Sequence, residues 1–127
     1  MAIRTEISLR LANNPGALSR LCGVLSEAHV NILGLHLESS GRLRLLVDNP
    51  LHAAGTLREH QYAVEERDVL YAVVPNQPGA AGGVARLLAE ANVNIEYAYS
   101  AAVEGAPMAA VVYGVADAQR ASAEAGV

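Results

Sequence analysis

Residues 13–17, Asn-Asn-Pro-Gly-Ala, return as Asn-Gln-Pro-Gly-Ala at residues 76–80. Each copy is followed, 17 residues after its first Asn, by Val-Asn-Ile. Sliding the chain by 63 positions lays Leu11–Leu37 over Val74–Ser100 without a gap, and ten of the 27 aligned pairs are identical. A match of that length at one fixed offset marks a duplicated structural unit. The fold must therefore be something that can be built twice in 127 residues. Units of about 60 residues bury little surface, so two of them are expected to pack side by side rather than stand apart.

The pattern inside one copy defines the unit. Ile3, Thr5, Ile7, Leu9 and Leu11 alternate with polar residues, the period of a strand with one buried face. Asn13-Asn14-Pro15-Gly16 then reads as a turn opening a helix, with Asn able to cap and Pro tolerated in the first turn. Leu18, Leu21, Cys22, Leu25 and Ala28 recur at helical spacing. Ala81, Val84, Ala85, Leu88 and Ala91 repeat it. Asn31 and Asn94 are expected where the helices end, because Asn tolerates the left-handed conformation.

Next come a strand, Ile32–Glu38, and a strand, Arg42–Asp48. A three-residue loop, Ser39-Ser40-Gly41, sets Leu37, Leu35 and Leu33 beside Leu43, Leu45 and Val47, and Glu38 beside Arg42. Gly41 suits the left-handed position of such a loop. Asn49-Pro50 starts a second helix carrying Leu51, Ala54 and Leu57, and a last strand covers Tyr62–Glu66. The second copy repeats this as strand Val69–Val74, helix Gly79–Ala91, strands Ile95–Ala101 and Met108–Val115, and a helix from Ala118. Glu66-Arg67-Asp68 separates the copies.

The expectation is α+β: two ferredoxin-like βαββαβ units side by side with antiparallel sheets, over residues 1–67 and 68–127. The sequence stops where the last strand of the second unit is due. That unit either has three strands or borrows a fourth, from the strand entering from the first unit or from a symmetry mate.

Composition narrows the function. Apolar residues make up 52% of the chain, enough for a packed core, although Phe and Trp are absent. A net charge of −4 argues against binding nucleic acid through charge. No Lys is present, which excludes Schiff-base chemistry and a phosphate-loop lysine. His29, His36, His52 and His60 do not form a metal-ligand pattern, and Cys22 is expected to pack in a helix. No cofactor, metal or catalytic set is expected. Arg4, Arg10, Arg42 and Arg44, with Glu6 and Glu38 among them, read as a solvated, salt-bridged sheet face. One Cys cannot make an internal disulfide, the start lacks a signal-peptide core, and no apolar run approaches the ~20 residues of a membrane span. A soluble cytoplasmic protein is expected.

A strand, then Asn-x-Pro-Gly-Ala, an amphipathic helix and Val-Asn-Ile, twice over, resembles the ACT domain, and the whole chain resembles small proteins made of two tandem ACT domains. The resemblance implies a non-catalytic regulatory module that binds a small ligand, usually an amino acid, between neighbouring copies. Carried over residue by residue, it points to Asn13, Asn14, Gly16, Ala17 and Leu18 with Asn31 and Ile32. In the second copy it points to Asn76, Gln77, Gly79, Ala80 and Ala81 with Asn94 and Ile95. The chemistry is sensible in its own right: a helix N-terminus favours a carboxylate, Gly permits close approach, and Asn can serve an ammonium or a carboxylate. Ala81, in place of Leu18, and Gly82-Gly83 depart from the pattern, so the two turns are not expected to bind equally.

A second surface follows from strand parity. If Leu35 and Leu37 face the helices, Tyr97 and Tyr99 face the uncovered side of their sheet, joined by Tyr71 and Val73. An apolar face without helices above it marks an interface, with a homodimer or a regulated biosynthetic enzyme as partner. Burial of Ile32 and Ile95 then requires a bulge near Gly34 and Tyr97.

Overall fold

The computed structural model describes residues 1–126. Its elements are β1 (Ala2–Arg10), α1 (Ala17–Glu27), β2 (Ile32–Leu37), β3 (Arg42–Val47), α2 (Pro50–Glu59), β4 (Glu65–Pro75), α3 (Ala80–Glu90), β5 (Tyr97–Ala101), β6 (Met108–Gly114) and α4 (Ala118–Ala125). No helix among the described residues is long and apolar enough to cross a membrane.

The chain forms two compact units whose boundaries fall inside strands. The N-terminal unit is Thr5–Arg67; the C-terminal unit is the chain from Asp68 onward together with Met1–Arg4. The expected break at Glu66-Arg67-Asp68 is absent, and β4 runs through it without interruption. Nothing in Glu-Arg-Asp forces a turn, since it contains neither Gly nor Pro. Tyr62–Val64, expected in a strand, lie before it.

In the N-terminal unit the strand order is β2-β3-β1, with the start of β4 beside β1. In the C-terminal unit it is β5-β6-β4, with Met1–Arg4 in the fourth-strand position. No strand follows α4 among the described residues, and the first residues of β1 take that place. Met1 and Ile3 pack on the C-terminal core, and the Arg4 guanidinium lies 4.6 Å from the Tyr71 ring centroid. The missing position is filled from the chain itself, by the start of β1, which neither expectation named.

Each unit buries one face of its sheet under its helices. In the N-terminal unit Ile7, Leu9, Leu43, Leu45 and Val47 meet Leu21 and Leu25 of α1 and Leu57 of α2. In the C-terminal unit Leu70, Ala72, Val74, Val111 and Tyr113 meet Leu88 and Ala118. With neither Phe nor Trp in the chain, Tyr113 supplies bulk there. Its hydroxyl donates to the Ala81 carbonyl at 2.8 Å, so the buried oxygen is satisfied, and burial pushes its phenol pKa up.

The hairpin β2–β3 has the expected register. Leu37 pairs Leu43, Leu35 pairs Leu45, and Gly41 has φ +93°. The amide of Glu38 donates to the Arg42 carbonyl at 3.0 Å. A bulge lies between Ile32 and Gly34, so Ile32, not Leu33, pairs Val47. That slip turns Ile32 toward the core, as its burial demands.

The borrowed strand makes a local prediction. Ile3→Ala should cost about 1–2 kcal/mol, below the range for a fully buried Ile because Ile3 is half-buried. Amide exchange should accelerate in β6 and not in β3; equal acceleration in both would contradict the assignment of Met1–Arg4 to the C-terminal unit.

Candidate functional site

The turn before α1 departs from the expected cap. Gly16 is itself the N-cap residue, in the left-handed region at φ 87°, and no side chain caps the helix. Gly79 does the same before α3 at φ 85°. Entering the helix through a left-handed Gly leaves the Asn side chains free for other partners. The Asn14 amide oxygen accepts from the Arg20 guanidinium at 3.1 Å. Arg20 folds back over the turn, its Nη1 only 3.2 Å from where a Gly16 Cβ would stand.

A cleft of about 420 Å³ opens at this turn, lined by Asn13, Asn14, Gly16, Ala17 and Leu18. Leu37, Glu38 and Ser39 form its opposite wall. The floor presents uncapped first-turn N–H groups, a positive end, and Arg20 lies beside the lining, held on Asn14. The wall holds a carboxylate: Glu38 is ion-paired with Arg44, whose hydrogen bond holds the Glu38 carboxyl below its ordinary pKa. Leu18 and Leu37 supply apolar surface.

Asn31 and Ile32 are not part of this cleft. They line a separate one with Cys22, Ser26 and His29, at the other end of β2. Six strand residues at about 3.3 Å each stand between. The Asn31 amide donates to the Asp48 carboxylate at 3.0 Å, and its carbonyl accepts from the Asp48 amide at 3.1 Å. The left-handed residues after α1 and α3 are His29 (φ 58°) and Asn92 (φ 59°), two positions before Asn31 and Asn94. The helices end one turn earlier than the Val-Asn-Ile copies suggest. Cys22 is half-buried at a cleft rim rather than in the core.

The C-terminal turn keeps the backbone and loses the charges. Position 83 is Gly where Arg20 stands, position 101 is Ala where Glu38 stands, and Gln77 replaces Asn14. The Asn76 amide donates to the carbonyls of Val103 (3.1 Å) and Ala106 (2.9 Å), fastening the β5–β6 loop. Gln77 is exposed, while Ala80 packs on the core. Asn94 lines a polar cleft of about 680 Å³ with Glu90, Glu96 and Asp117. Ala81 and Ile95 line an apolar one of about 350 Å³.

Tyr71, Val73, Tyr97 and Tyr99 share the face away from the helices, as expected. Tyr71 and Tyr99 both pair Val112, while Leu70, Ala72 and Val74 point to the core. The Tyr97 and Tyr99 rings stack with centroids 6.4 Å apart. Tyr97 lies over Gly114, where a Cβ would fall 2.2 Å from the ring. Val73 is 56% exposed and Met108 48% exposed beside them. On the matching face of the N-terminal unit Arg42 pairs Glu65 at 3.7 Å and Arg44 pairs Glu38, while Glu6 is almost fully buried and partnered.

Sequence reasoning missed Glu38 and Leu37 as lining residues, and Arg20 as the side chain that holds Asn14 beside them. A signal existed: Arg20 lies one helical turn after Gly16, and the repeat replaces it with Gly.

Two measurements check this geometry. Gly16→Ala and Gly79→Ala should each cost roughly 1–2 kcal/mol, the penalty of a left-handed non-Gly residue; unchanged melting would refute the left-handed turns. In an NMR titration Glu38 should ionise below the usual carboxylate range and return to it in Arg44→Gln. The stabilisation from that pair is complete above the ordinary carboxylate pKa and fades as pH falls through the lowered one.

The chain matches the family model described as an ACT domain pair over residues 1–124. Among solved structures it is similar to protein BT0572 from Bacteroides thetaiotaomicron, with TM-score 0.86 and 30% identity, over 96% of this chain and 85% of that one. The fold is shared with the regulatory subunit of aspartate kinase from Thermus thermophilus in its ligand-free form (TM-score 0.70, 16% identity, 98% of this chain and 92% of that one). It is also shared with the Thermus flavus regulatory subunit (TM-score 0.65, 16% identity, 98% and 94%). No functionally curated protein matches the sequence. With its duplicated turn-helix unit and the family match over nearly its whole length, this chain belongs to the ACT domain family, as an ACT domain pair.

Proposed function

We propose that the chain is a non-catalytic regulatory module that binds a free amino acid at the Asn13–Leu18 turn of its N-terminal unit. The observation that carries this reading is the cleft that sets an uncapped helix start across from ionised Glu38, with Leu18 and Leu37 in its lining and Arg20 held beside it on Asn14. An α-amino acid has the matching groups. Its carboxylate meets the first-turn N–H groups and Arg20. Its ammonium meets Glu38 and the Asn13 side-chain carbonyl. Its side chain lies on the leucines. The turn at Asn76–Ala81, without counterparts to Arg20 and Glu38, binds more weakly.

Asn31 with Ile32, and Asn94 with Ile95, lie at the far ends of their strands from the turns of their own units. They reach a ligand only from a second copy, so the functional form is a homodimer. Occupancy then favours one packing of the copies over another, which is the allosteric output. The setting is cytoplasmic, consistent with a single Cys.

A second reading has a specific observation behind it. The Tyr71, Val73, Tyr97 and Tyr99 face is apolar and partly exposed in the C-terminal unit alone. On this reading the chain is a subunit that acts on an amino-acid biosynthetic enzyme through that face. Val73→Glu, at an exposed position, should then abolish co-purification of the enzyme without lowering Tm.

Thermal denaturation with each of the twenty amino acids at millimolar concentration tests the first reading. A ligand at a hundredfold over its Kd adds about 2.7 kcal/mol, or several degrees of Tm. Arg20→Ala and Glu38→Gln should each abolish the shift. No shift with any amino acid would reject the reading.

A further inference from the structure

The first turns of α3 and the strand β5 differ from their counterparts, α1 and β2, in one consistent direction. Ala81, Gly82 and Ala85 stand where α1 has Leu18, Ser19 and Cys22, and Ala98 and Ser100 stand where β2 has Leu35 and Leu37. All five side chains are smaller, and at the three leucine positions about three carbon atoms are missing from each. The backbone has not closed up behind them. Gly79 enters α3 at φ 85°, as Gly16 enters α1 at φ 87°. Ala98 pairs Tyr113 and Ser100 pairs Val111, as Leu35 pairs Leu45 and Leu37 pairs Leu43. The N-terminal unit therefore shows what occupies this place when it is filled. In the C-terminal unit the same place is an apolar cleft of about 350 Å³.

Two features point to an occupant rather than to loose packing. Tyr113 is larger than Leu45, its counterpart, and its ring lines the cleft. Its hydroxyl donates to the Ala81 carbonyl at 2.8 Å, a bond that spans from β6 to the start of α3 and props the cleft open. With that donor used inside the unit, the ring meets the cleft as apolar surface. Gly82 also lines the cleft, although Gly is a poor residue for the body of a helix. A Cβ there would meet nothing within 4 Å, so packing inside the unit does not require Gly at this position. The space it leaves belongs to the cleft.

We propose that the C-terminal unit binds a neutral apolar small molecule in this cleft, an aromatic ring or branched hydrocarbon no larger than indole, held between Gly82 and Ala98 against the Tyr113 ring. The volume and the apolar lining are those of a small-molecule site. No lining residue carries a charge. A free amino acid would bring an ammonium and a carboxylate with nothing to meet them, so it is the wrong class of ligand here. Ser100 supplies a hydroxyl that can accept from an indole N–H or from a ligand hydroxyl. The cleft shares no residue with the one at the Asn13–Leu18 turn, so this site does not rest on the reading given to that turn.

Titration of the full chain with indole, followed by methyl-detected NMR, tests the site. Saturable shifts are expected at Ala81, Ala85, Ala98 and Val111, and none at Ala17 or Leu18. Glu38→Gln should leave the indole Kd unchanged, which separates this site from the amino-acid site. Ala81→Leu and Ala98→Leu restore the residues of the N-terminal unit on an equivalent backbone. Each should raise the indole Kd roughly tenfold or more without lowering Tm. Benzyl alcohol should bind, and benzoate, which adds a charge, should not. No shifts with indole, benzyl alcohol or isobutanol up to their solubility would overturn the proposal. Shifts that both filled variants retain, or benzoate binding as tightly as benzyl alcohol, would also overturn it. Shifts at the same methyls on concentrating the unliganded chain, reversed by indole, would make a second copy the occupant and overturn it as well. Circular dichroism identifies a filled variant that does not fold. Ser100→Leu, which restores Leu37 at an exposed position, then takes its place with the same expected loss of indole binding.

Discussion

Two rows of apolar side chains hold the N-terminal unit in register: Leu9, Leu43 and Leu37 in one, Ile7, Leu45 and Leu35 in the other. A slip of one residue in any of these strands would turn its row to the wrong face. Much else depends on that ladder. It requires the three-residue hairpin loop and the left-handed Gly41. It requires the bulge that turns Ile32 inward. It places Glu38 and Arg44 at the hairpin end, next to the turn before α1. The ladder is complete at its centre and bare at its outer strand, because helices cover the middle of the sheet and not its edge.

The repeat explains why the two units can differ without losing their fold. What they share is backbone: left-handed Gly16 and Gly79, left-handed His29 and Asn92, and the strand order. What they do not share is the chemistry hung on it. Arg20 and Glu38 make one turn polar and charged on both sides. Gly83 and Ala101 leave the other with backbone alone. The uncovered sheet face is reversed, with arginines in the N-terminal unit and tyrosines in the C-terminal unit. Duplication set up two equal positions, and substitution made one a charged cleft and the other an apolar one.

The tyrosine face shows how small residues shape the second unit. The Tyr97 ring rests on Gly114, which has no side chain to displace it. Ala98 and Ser100, on the other side of the same strand, leave the groove beside Gly82. Small residues therefore act in opposite ways on the two sides of β5: one admits an aromatic ring from the same unit, and the others leave a space unfilled.

Local pattern alone determined the repeat, the order of elements, the hairpin register, the bulge beside Gly34 (though not the matching one expected near Tyr97, where β5 runs in even register) and the side on which the four tyrosine-face residues lie. Each follows from a period of two or 3.6 and from the conformations open to Gly and Pro. Tertiary structure decided the rest. Thr5 and Asp68 mark changes of unit inside unbroken strands, and no residue there signals it, because hydrogen bonding to a neighbour costs a strand nothing in its own pattern. The Asn cap did not form, since a left-handed Gly sets the direction of approach to the helix. Asn31 lies far from Asn13 although the repeat keeps them at one spacing, because a strand of fixed rise separates them. Asn14 and Glu38 line the same cleft through folding alone, with 23 residues between them that periodicity can place on a helix and a strand but cannot bring together.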